Sequence, residues 1–203
     1  MPAPSAPRHF SMIRGFQLAD LFTLGNAACG VGGVLMAMRH LASGDPADLL
    51  LAAAFAPAAF LFDVLDGRIA RWRHTSSALG RELDSLADVI SFGVAPAALA
   101  YAAGLNGLWD AVILVYFVCC GVSRLARYNV TAESLSGADG KVAYFEGTPI
   151  PTSILPLTLL LVAYVTDHLG AVTTGGVRWH LSALLFAISG SLMISKTLHV
   201  PKP

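Results

Sequence analysis

The chain has 203 residues, of which 55% are hydrophobic and only 13% charged, and its 13 acidic side chains balance its 13 Lys and Arg residues. Soluble domains carry about 25% charged residues, so this composition excludes a soluble globular domain, a disordered chain and a nucleic-acid-binding domain. It is typical of an integral membrane protein.

The N-terminal segment precedes the first long apolar stretch. Residues 1–10 are rich in Pro and Ala and are predicted to form a disordered tail. Residues 11–19 place Met12, Ile13 and Phe16 among polar residues, and this pattern fits either a short interfacial helix or a plain linker. Residues 11–203 are predicted to form a single membrane domain.

Uncharged stretches predict six membrane-spanning helices when each is compared with the ~20 residues that cross ~30 Å of hydrocarbon. The second and fourth stretches are too short alone and reach this length by continuing into charged sequence without a helix breaker. The expected fold is therefore an all-α bundle. The predicted spans are residues 20–42, 47–73, 83–105, 107–130, 148–168 and 178–196.

The Lys and Arg residues predict the orientation of the bundle. With six spans, Arg39 and Arg178 lie on one side and the other eleven of the 13 cations lie on the side that holds both termini. Cations accumulate on the cytoplasmic side of membrane proteins. We therefore expect cytoplasmic termini, a location in a bacterial-type cytoplasmic membrane, and charged ends of spans two and four that open toward the cytoplasm.

Four carboxylates are concentrated in this cytoplasmic region. Asp63 and Asp66 are three residues apart and Asp84 and Asp88 four apart, so each pair lies on one helical face. The short turn between the helices makes them antiparallel neighbours, and the two pairs converge. One or two divalent cations would relieve the resulting repulsion and the cost of charge near hydrocarbon. Oxygen ligands favour Mg²⁺ or Mn²⁺.

The alternative for these carboxylates is a set of buried ion pairs between the two helices, although ionisable residues in membrane spans are usually functional. Gly67 and Gly80 bring backbone close to whatever binds beside them, because neither has a Cβ. Arg71 lies five residues after Asp66. Carboxylates, a divalent metal and an Arg around a glycine-lined cleft suit a diphosphate substrate.

The segment from Asp63 to Asp88 resembles the signature of the CDP-alcohol phosphatidyltransferase family. This signature reads D-x-x-D-G-x-x-A-R, then any eight residues, and then G-x-x-x-D-x-x-x-D. The resemblance implies six spans, a two-metal centre of Mg²⁺ or Mn²⁺, a CDP-activated lipid as substrate and a homodimer. All eight identities of the signature are present: Asp63, Asp66, Gly67, Ala70, Arg71, Gly80, Asp84 and Asp88.

The resemblance also implies a role for each matched residue. Asp63, Asp66 and Asp84 would be metal ligands, and Asp88 would contact a metal and act as the catalytic base on the acceptor hydroxyl. Binding of the CDP-lipid is implied for a further set: Asn26, Gly67, Arg71, Ser77 and Gly80.

Further stretches resemble one subfamily, the phosphatidylserine synthases. They lie at residues 20–30, 77–97, 123–129, 144–153 and 191–196. This resemblance implies transfer of a phosphatidyl group from CDP-diacylglycerol to L-serine, giving phosphatidylserine and CMP within the lipid membrane. Direct displacement is expected, because no dedicated nucleophile stands out.

The acceptor site is predicted from the charges of serine. Its carboxylate needs a cation, and Arg124 and Arg127 on span four are the candidates, with Asn129 nearby. Both Arg residues could instead snorkel to lipid headgroups. Glu146 could meet the serine ammonium, and the GTPIP stretch before span five is predicted to line the substrate site.

Two other functions remain open at this point. The same chemistry could use a different acceptor, such as glycerol 3-phosphate or an inositol phosphate, which would require further cations in the pocket. A cation transporter could use the intramembrane aspartates to bind its ion. That function would leave the identities of Gly67, Ala70, Arg71 and Gly80 unexplained.

Overall fold

The computed structural model describes residues 18–73, 78–135, 144–197 and 199–201. The predicted tail, most of the segment at residues 11–19, and Ser77 lie outside these ranges. The helices are α1 (Leu18–Ser43), α2 (Pro46–Arg73), α3 (Ala78–Asp88), a π-helical segment (Val89–Val94), α4 (Ala95–Ala102), α5 (Leu108–Leu135), a 3₁₀ turn (Ile150–Ser153), α6 (Ile154–Val165) and α7 (Ala183–Ile194).

Four helical stretches are long and apolar enough to cross a membrane: Leu18–Ser43, Pro46–Ile69, Leu79–Ala102 and Leu108–Val130. They match the first four predicted spans and identify the chain as an integral membrane protein. Helices α6 and α7 have 12 residues each, which at 1.5 Å per residue cover roughly 18 Å. The fifth and sixth spans, and the cytoplasmic placement of the termini, therefore stay predictions.

Two short antiparallel strand pairs were not predicted from the sequence. Strand β1 (Tyr144–Glu146) pairs with β4 (His199–Pro201), which joins the loop before α6 to the C-terminal segment. Strands β2 (Ala171–Thr174) and β3 (Val177–His180) form a hairpin between α6 and α7. Its two-residue turn consists of glycines with φ of 59° and 80°, the conformation that such tight hairpins require.

Small residues bring α1 close to its neighbours. A Cβ built on Gly32 would lie 2.9 Å from the Phe55 ring of α2, and one on Gly33 would lie 3.3 Å from the Ala52 carbonyl oxygen. A Cβ on Gly30 would lie 2.8 Å from the Cα of Ser91 in the π-helical segment. Helices in membranes associate through close packing of this kind, and α1 is thereby fixed against α2, which carries Asp63 and Asp66, and against the π-helical segment that follows Asp88.

A buried hydrogen-bonded pair of Asp110 and His180 fastens the β2–β3 hairpin to the start of α5. Asp110 is fully buried and accepts hydrogen bonds from His180 Nδ1 at 2.7 Å and from the His180 backbone N–H at 2.8 Å. It also accepts one from the Gly107 N–H at 3.0 Å. The pair lies at the N-terminal end of α5, whereas Arg124 lies in its C-terminal half. It therefore stabilises the bundle at a distance from the aspartates.

Candidate active site

The structure brings three of the predicted aspartates together. Asp63 and Asp66 lie in the C-terminal half of α2, and Asp84 lies in the middle of α3. One carboxylate oxygen of each lies within 4.8 Å of the others. Asp88 lies one turn beyond Asp84 and is buried, with only 6% of its surface exposed. The structure thus clusters three of the four carboxylates that the sequence predicted to converge, and Asp88 lies one turn farther along α3.

These carboxylates fit a divalent cation better than a set of ion pairs. Asp84 Oδ1 is buried and has no hydrogen-bond partner among the described residues. Within the same residues, the salt bridges join Arg39 to Asp48 and His180 to Asp110, and neither includes the four aspartates. Clustered carboxylate oxygens with an unsatisfied buried acceptor are the donor set that Mg²⁺ and Mn²⁺ prefer.

Helix α1 holds one carboxylate of each pair. Thr23 donates from Oγ1 to Asp66 Oδ2 at 2.9 Å, and Asn26 donates from Nδ2 to Asp88 Oδ1 at 3.2 Å. Thr23 and Asn26 are three residues apart on α1, so they share one face. Sequence reasoning missed Thr23, although its position one turn before Asn26 in the same apolar helix was a usable signal.

The π-helical segment directly follows Asp88. Its widened hydrogen bonding appears in the Ala95 N–H, which donates to the carbonyl oxygen of Ile90 five residues earlier. Ser91 of this segment donates from Oγ to the Asn26 carbonyl oxygen at 2.8 Å. Single-turn π segments in α-helices are frequent at functional sites, and this one connects the aspartate helix to α1.

Of the residues expected to bind the CDP-lipid, Asn26, Gly67, Arg71 and Gly80 lie in the described helices, and Ser77 lies outside the described residues. Among the described residues, a Cβ built on Gly67 would meet no atom within 4 Å, so this part of the structure leaves open space next to Asp66. Arg71 is exposed near the end of α2, and Gly80 is half-buried in the first turn of α3. Asn26 Oδ1 is buried and has no hydrogen-bond partner among the described residues.

The two arginines of α5 have different surroundings. Arg124 is buried, its guanidinium lies 5.6 Å from the centre of the Tyr128 ring, and it interacts electrostatically with Asp88. Arg127 instead donates from Nη1 to the carbonyl oxygen of Ile194, at the end of α7, with a distance of 3.5 Å. A cation at a helix C-terminus is favourable, so this contact gives Arg127 a structural partner at the end of α7.

Asn129 and Glu146 are also placed by local structure. The amide of Asn129 donates to Ser85 Oγ at 3.0 Å and to Glu82 Oε1 at 3.5 Å, which links α5 to α3. Ser85 lies between Asp84 and Asp88, so this contact supports the aspartate helix. Glu146 is the last residue of β1 and pairs with His199 through the backbone.

The GTPIP stretch, residues 147–151, packs between α5 and α7. Gly147 has φ of 74°, and a Cβ there would collide with the Met193 carbonyl oxygen. The Thr148 N–H donates to the Leu192 carbonyl oxygen at 3.2 Å. Ile150 is buried, and its Cδ1 lies 2.8 Å from the position of a Cβ on Gly121, one turn before Arg124.

The family model of the CDP-alcohol phosphatidyltransferases matches residues 16–193, which include all of these groups. The chain belongs to the CDP-alcohol phosphatidyltransferase family, as the resemblance in the aspartate segment indicated.

Individual relatives share most of the chain. A CDP-diacylglycerol–serine O-phosphatidyltransferase of Saccharomyces cerevisiae is 43% identical over 209 residues, which cover 98% of this chain and 75% of the relative. An archaetidylserine synthase of Methanothermobacter thermautotrophicus is 33% identical, over 91% of this chain and 70% of its own. A Mycobacterium tuberculosis protein with the same name as the yeast one is 32% identical, over 87% and 58%.

Proposed function

We propose that this enzyme transfers the phosphatidyl group of CDP-diacylglycerol to the hydroxyl of L-serine and releases phosphatidylserine and CMP. The observation that carries the proposal is the convergence of Asp63, Asp66 and Asp84 beside the open space at Gly67, with the buried cation Arg124 near Asp88. The serine-specific names of the similar proteins support the choice of acceptor.

The aspartates would hold the metal. Asp63, Asp66 and Asp84 are the ligands in this proposal, and Asp88 contributes a further contact. Mg²⁺ or Mn²⁺ bound there would neutralise the diphosphate and stabilise the leaving CMP. Asn26 Oδ1, which is buried and has no partner among the described residues, would accept a hydrogen bond from the CDP moiety, and the exposed Arg71 would neutralise part of its negative charge.

The transfer is a direct displacement in this proposal. Asn26 occupies Oδ1 of Asp88, so Asp88 would accept the serine hydroxyl proton at Oδ2. The serine oxygen then forms a bond with the β-phosphorus as the bond from that phosphorus to the CMP oxygen breaks. A bound, oriented pair of substrates supplies the proximity that this step needs.

Arg124 would bind the serine carboxylate. It is buried and faces the charge of Asp88, and a buried cation forms a strong hydrogen bond with a carboxylate. A phosphorylated acceptor carries more negative charge and would call for additional cations. The serine-specific names of the similar proteins favour serine over glycerol 3-phosphate or an inositol phosphate.

The orientation and assembly expected from the sequence are part of this proposal. We place the site at the cytoplasmic face of a bacterial-type cytoplasmic membrane, because the charged ends of the second and fourth helices lie on the side with most cations. The family resemblance implies a homodimer. Protease accessibility of tagged termini in sealed vesicles and crosslinking in native membranes test these two points separately.

The deciding experiment measures CMP release by the purified protein with CDP-diacylglycerol and Mn²⁺. L-serine, glycerol 3-phosphate and inositol phosphate are supplied one at a time. Release that depends on serine supports the proposal, and release with another alcohol refutes the choice of acceptor. No release with any acceptor, together with metal uptake by proteoliposomes, would favour the cation transporter.

Arg124→Gln and Arg127→Gln form a matched pair in the same assay. We expect Arg124→Gln to raise KM for serine by about 10- to 100-fold, the equivalent of one charge-assisted hydrogen bond. Arg127→Gln should leave KM for serine within about twofold, because its contact is structural. Equal effects of the two substitutions would refute the assignment of Arg124.

A further inference from the structure

A continuous set of hydrogen bonds leads from the π-helical segment to Asp88. Ser91 Oγ donates to the Asn26 carbonyl oxygen at 2.8 Å, and Asn26 Nδ2 donates to Asp88 Oδ1 at 3.2 Å. Ser91, Asn26 and Asp88 are 2%, 0% and 6% exposed. Water does not compete for these bonds, and hydrogen bonds in such a low-dielectric setting are strong.

The first of these bonds depends on the absence of a side chain on α1. Gly30 lies one turn after Asn26, and a Cβ on it would lie 2.5 Å from Ser91 Oγ. The Asn26 carbonyl oxygen has two lone pairs, so it accepts the Ser91 hydroxyl in addition to its helical N–H donor. Gly30 therefore leaves the space through which Ser91 reaches the backbone of α1.

The amide of Asn26 has few other constraints. Its Oδ1 is buried and has no hydrogen-bond partner among the described residues, so the contact with Asp88 is made by the nitrogen end alone. The position of the Asn26 backbone then decides whether Nδ2 reaches Asp88. Close packing of small residues already holds α1 against its neighbours, and the hydroxyl-to-carbonyl bond from Ser91 adds a directional contact at Asn26 itself.

We propose that Ser91 is a positioning residue that acts through Asn26 to hold Asp88 in its reactive place. This inference rests on the proposed function, in which Asp88 accepts the proton of the serine hydroxyl. A base must lie within hydrogen-bond reach of its proton, and misplacement by about 1 Å can cost up to about 100-fold in rate.

The test compares Ser91→Ala with Ser182→Ala. Ser182 is a matched control, because its hydroxyl also donates to a backbone carbonyl of another segment, Leu169, at 2.8 Å, but at the opposite end of the bundle. We expect Ser91→Ala to lower kcat about tenfold with both KM values changed less than about twofold. Ser182→Ala should keep the kcat of the unsubstituted protein at a similar loss of melting temperature.

Two further readouts separate positioning from loss of structure. In an Asn26→Ala background, Ser91→Ala should have no additional effect on kcat, because the path to Asp88 is already broken. Mn²⁺ affinity, measured by electron paramagnetic resonance without substrates, should fall about tenfold in Ser91→Ala, as for other residues that orient metal ligands. If Ser91→Ala does not fold, Ser91→Cys, whose S–H is a weaker donor, should give intermediate values.

Each outcome is decisive. Unchanged kcat and Mn²⁺ affinity in Ser91→Ala, or in Ser91→Cys if the first variant does not fold, overturn the positioning role. Additive effects of the Asn26 and Ser91 substitutions overturn the path through Asn26. If the unsubstituted protein releases no CMP with serine, the proposed function fails, while the comparison of Mn²⁺ affinities still tests Ser91.

Discussion

The contact between Gly30 and Ser91 allows a substitution whose cost follows from the structure. In Gly30→Ala, the new Cβ would lie 2.5 Å from Ser91 Oγ, 2.8 Å from Ser91 Cα and 3.0 Å from Ile90 Cγ2. Carbon atoms in contact are separated by about 3.5–4.0 Å. Because the Cα of Ser91 is backbone, the π-helical segment and α1 must move apart by roughly 1 Å.

The cost has three contributions. Overpacking of this kind destabilises a protein by about 1–3 kcal/mol. Movement by roughly 1 Å would also stretch the bonds from Ser91 to Asn26 and from Asn26 to Asp88, with a loss of about 1 kcal/mol. Alanine is a better helix former than glycine by about 1 kcal/mol, which offsets that loss. The free energy of unfolding should therefore fall by about 1–3 kcal/mol.

Gly93→Ala is the matched control, since Gly93 is also buried and lies in the π-helical segment. A Cβ on Gly93 would lie 3.9 Å from Ile150 Cδ1 and 4.0 Å from Val118 Cγ1, which is ordinary contact. Unfolding of both variants in mixed micelles, followed by circular dichroism during titration with sodium dodecyl sulfate, gives the comparison. Gly93→Ala should match or slightly exceed the unsubstituted protein. Equal stability of Gly30→Ala and Gly93→Ala would refute the close packing of Gly30 against Ser91.

Three further outcomes are expected. Asp88→Asn should lower kcat by about 10²–10⁴-fold, the usual contribution of a general base, while equilibrium binding of the CDP-lipid persists; near-normal turnover would remove the base assignment. Asp110→Ala should cost about 3–5 kcal/mol of unfolding free energy because it leaves the buried His180 without its partner, yet the KM for serine should not change in the folded fraction. Chelation with EDTA should abolish CMP release and Mn²⁺ should restore it; full activity after exhaustive chelation would exclude the metal centre.

The sequence predicted the arrangement of the aspartates because that arrangement depends on local spacing. Separations of three and four residues place Asp63 with Asp66 and Asp84 with Asp88 on single helical faces. The short turn between the two helices makes them antiparallel neighbours. The first four helices were predictable for a similar reason, since length and hydropathy decide whether a stretch can cross a membrane.

Features that depend on distant contacts could not be predicted. Arg124 and Arg127 are equivalent in the sequence, and only the position at which α7 ends, near Ile194, gives Arg127 a different partner. The role of Thr23 depends on which α1 face meets Asp66. Asp110 has the position of an ordinary acidic residue in a first helical turn, and its contact with His180 requires the hairpin 70 residues later.

The π-helical segment has a consequence for insertions and deletions in this part of the chain. Each residue of an α-helix turns the chain by about 100°, and the wide turn at Val89–Val94 accommodates one extra residue without passing that rotation on to α4. Deleting one residue there should therefore restore a regular hydrogen-bond ladder and keep Asp84 and Asp88 facing α1, whereas deleting one from α4 would rotate them by about 100° relative to the apolar residues that follow. A length change of one residue should be tolerated better in the π-helical segment than in the regular helix after it.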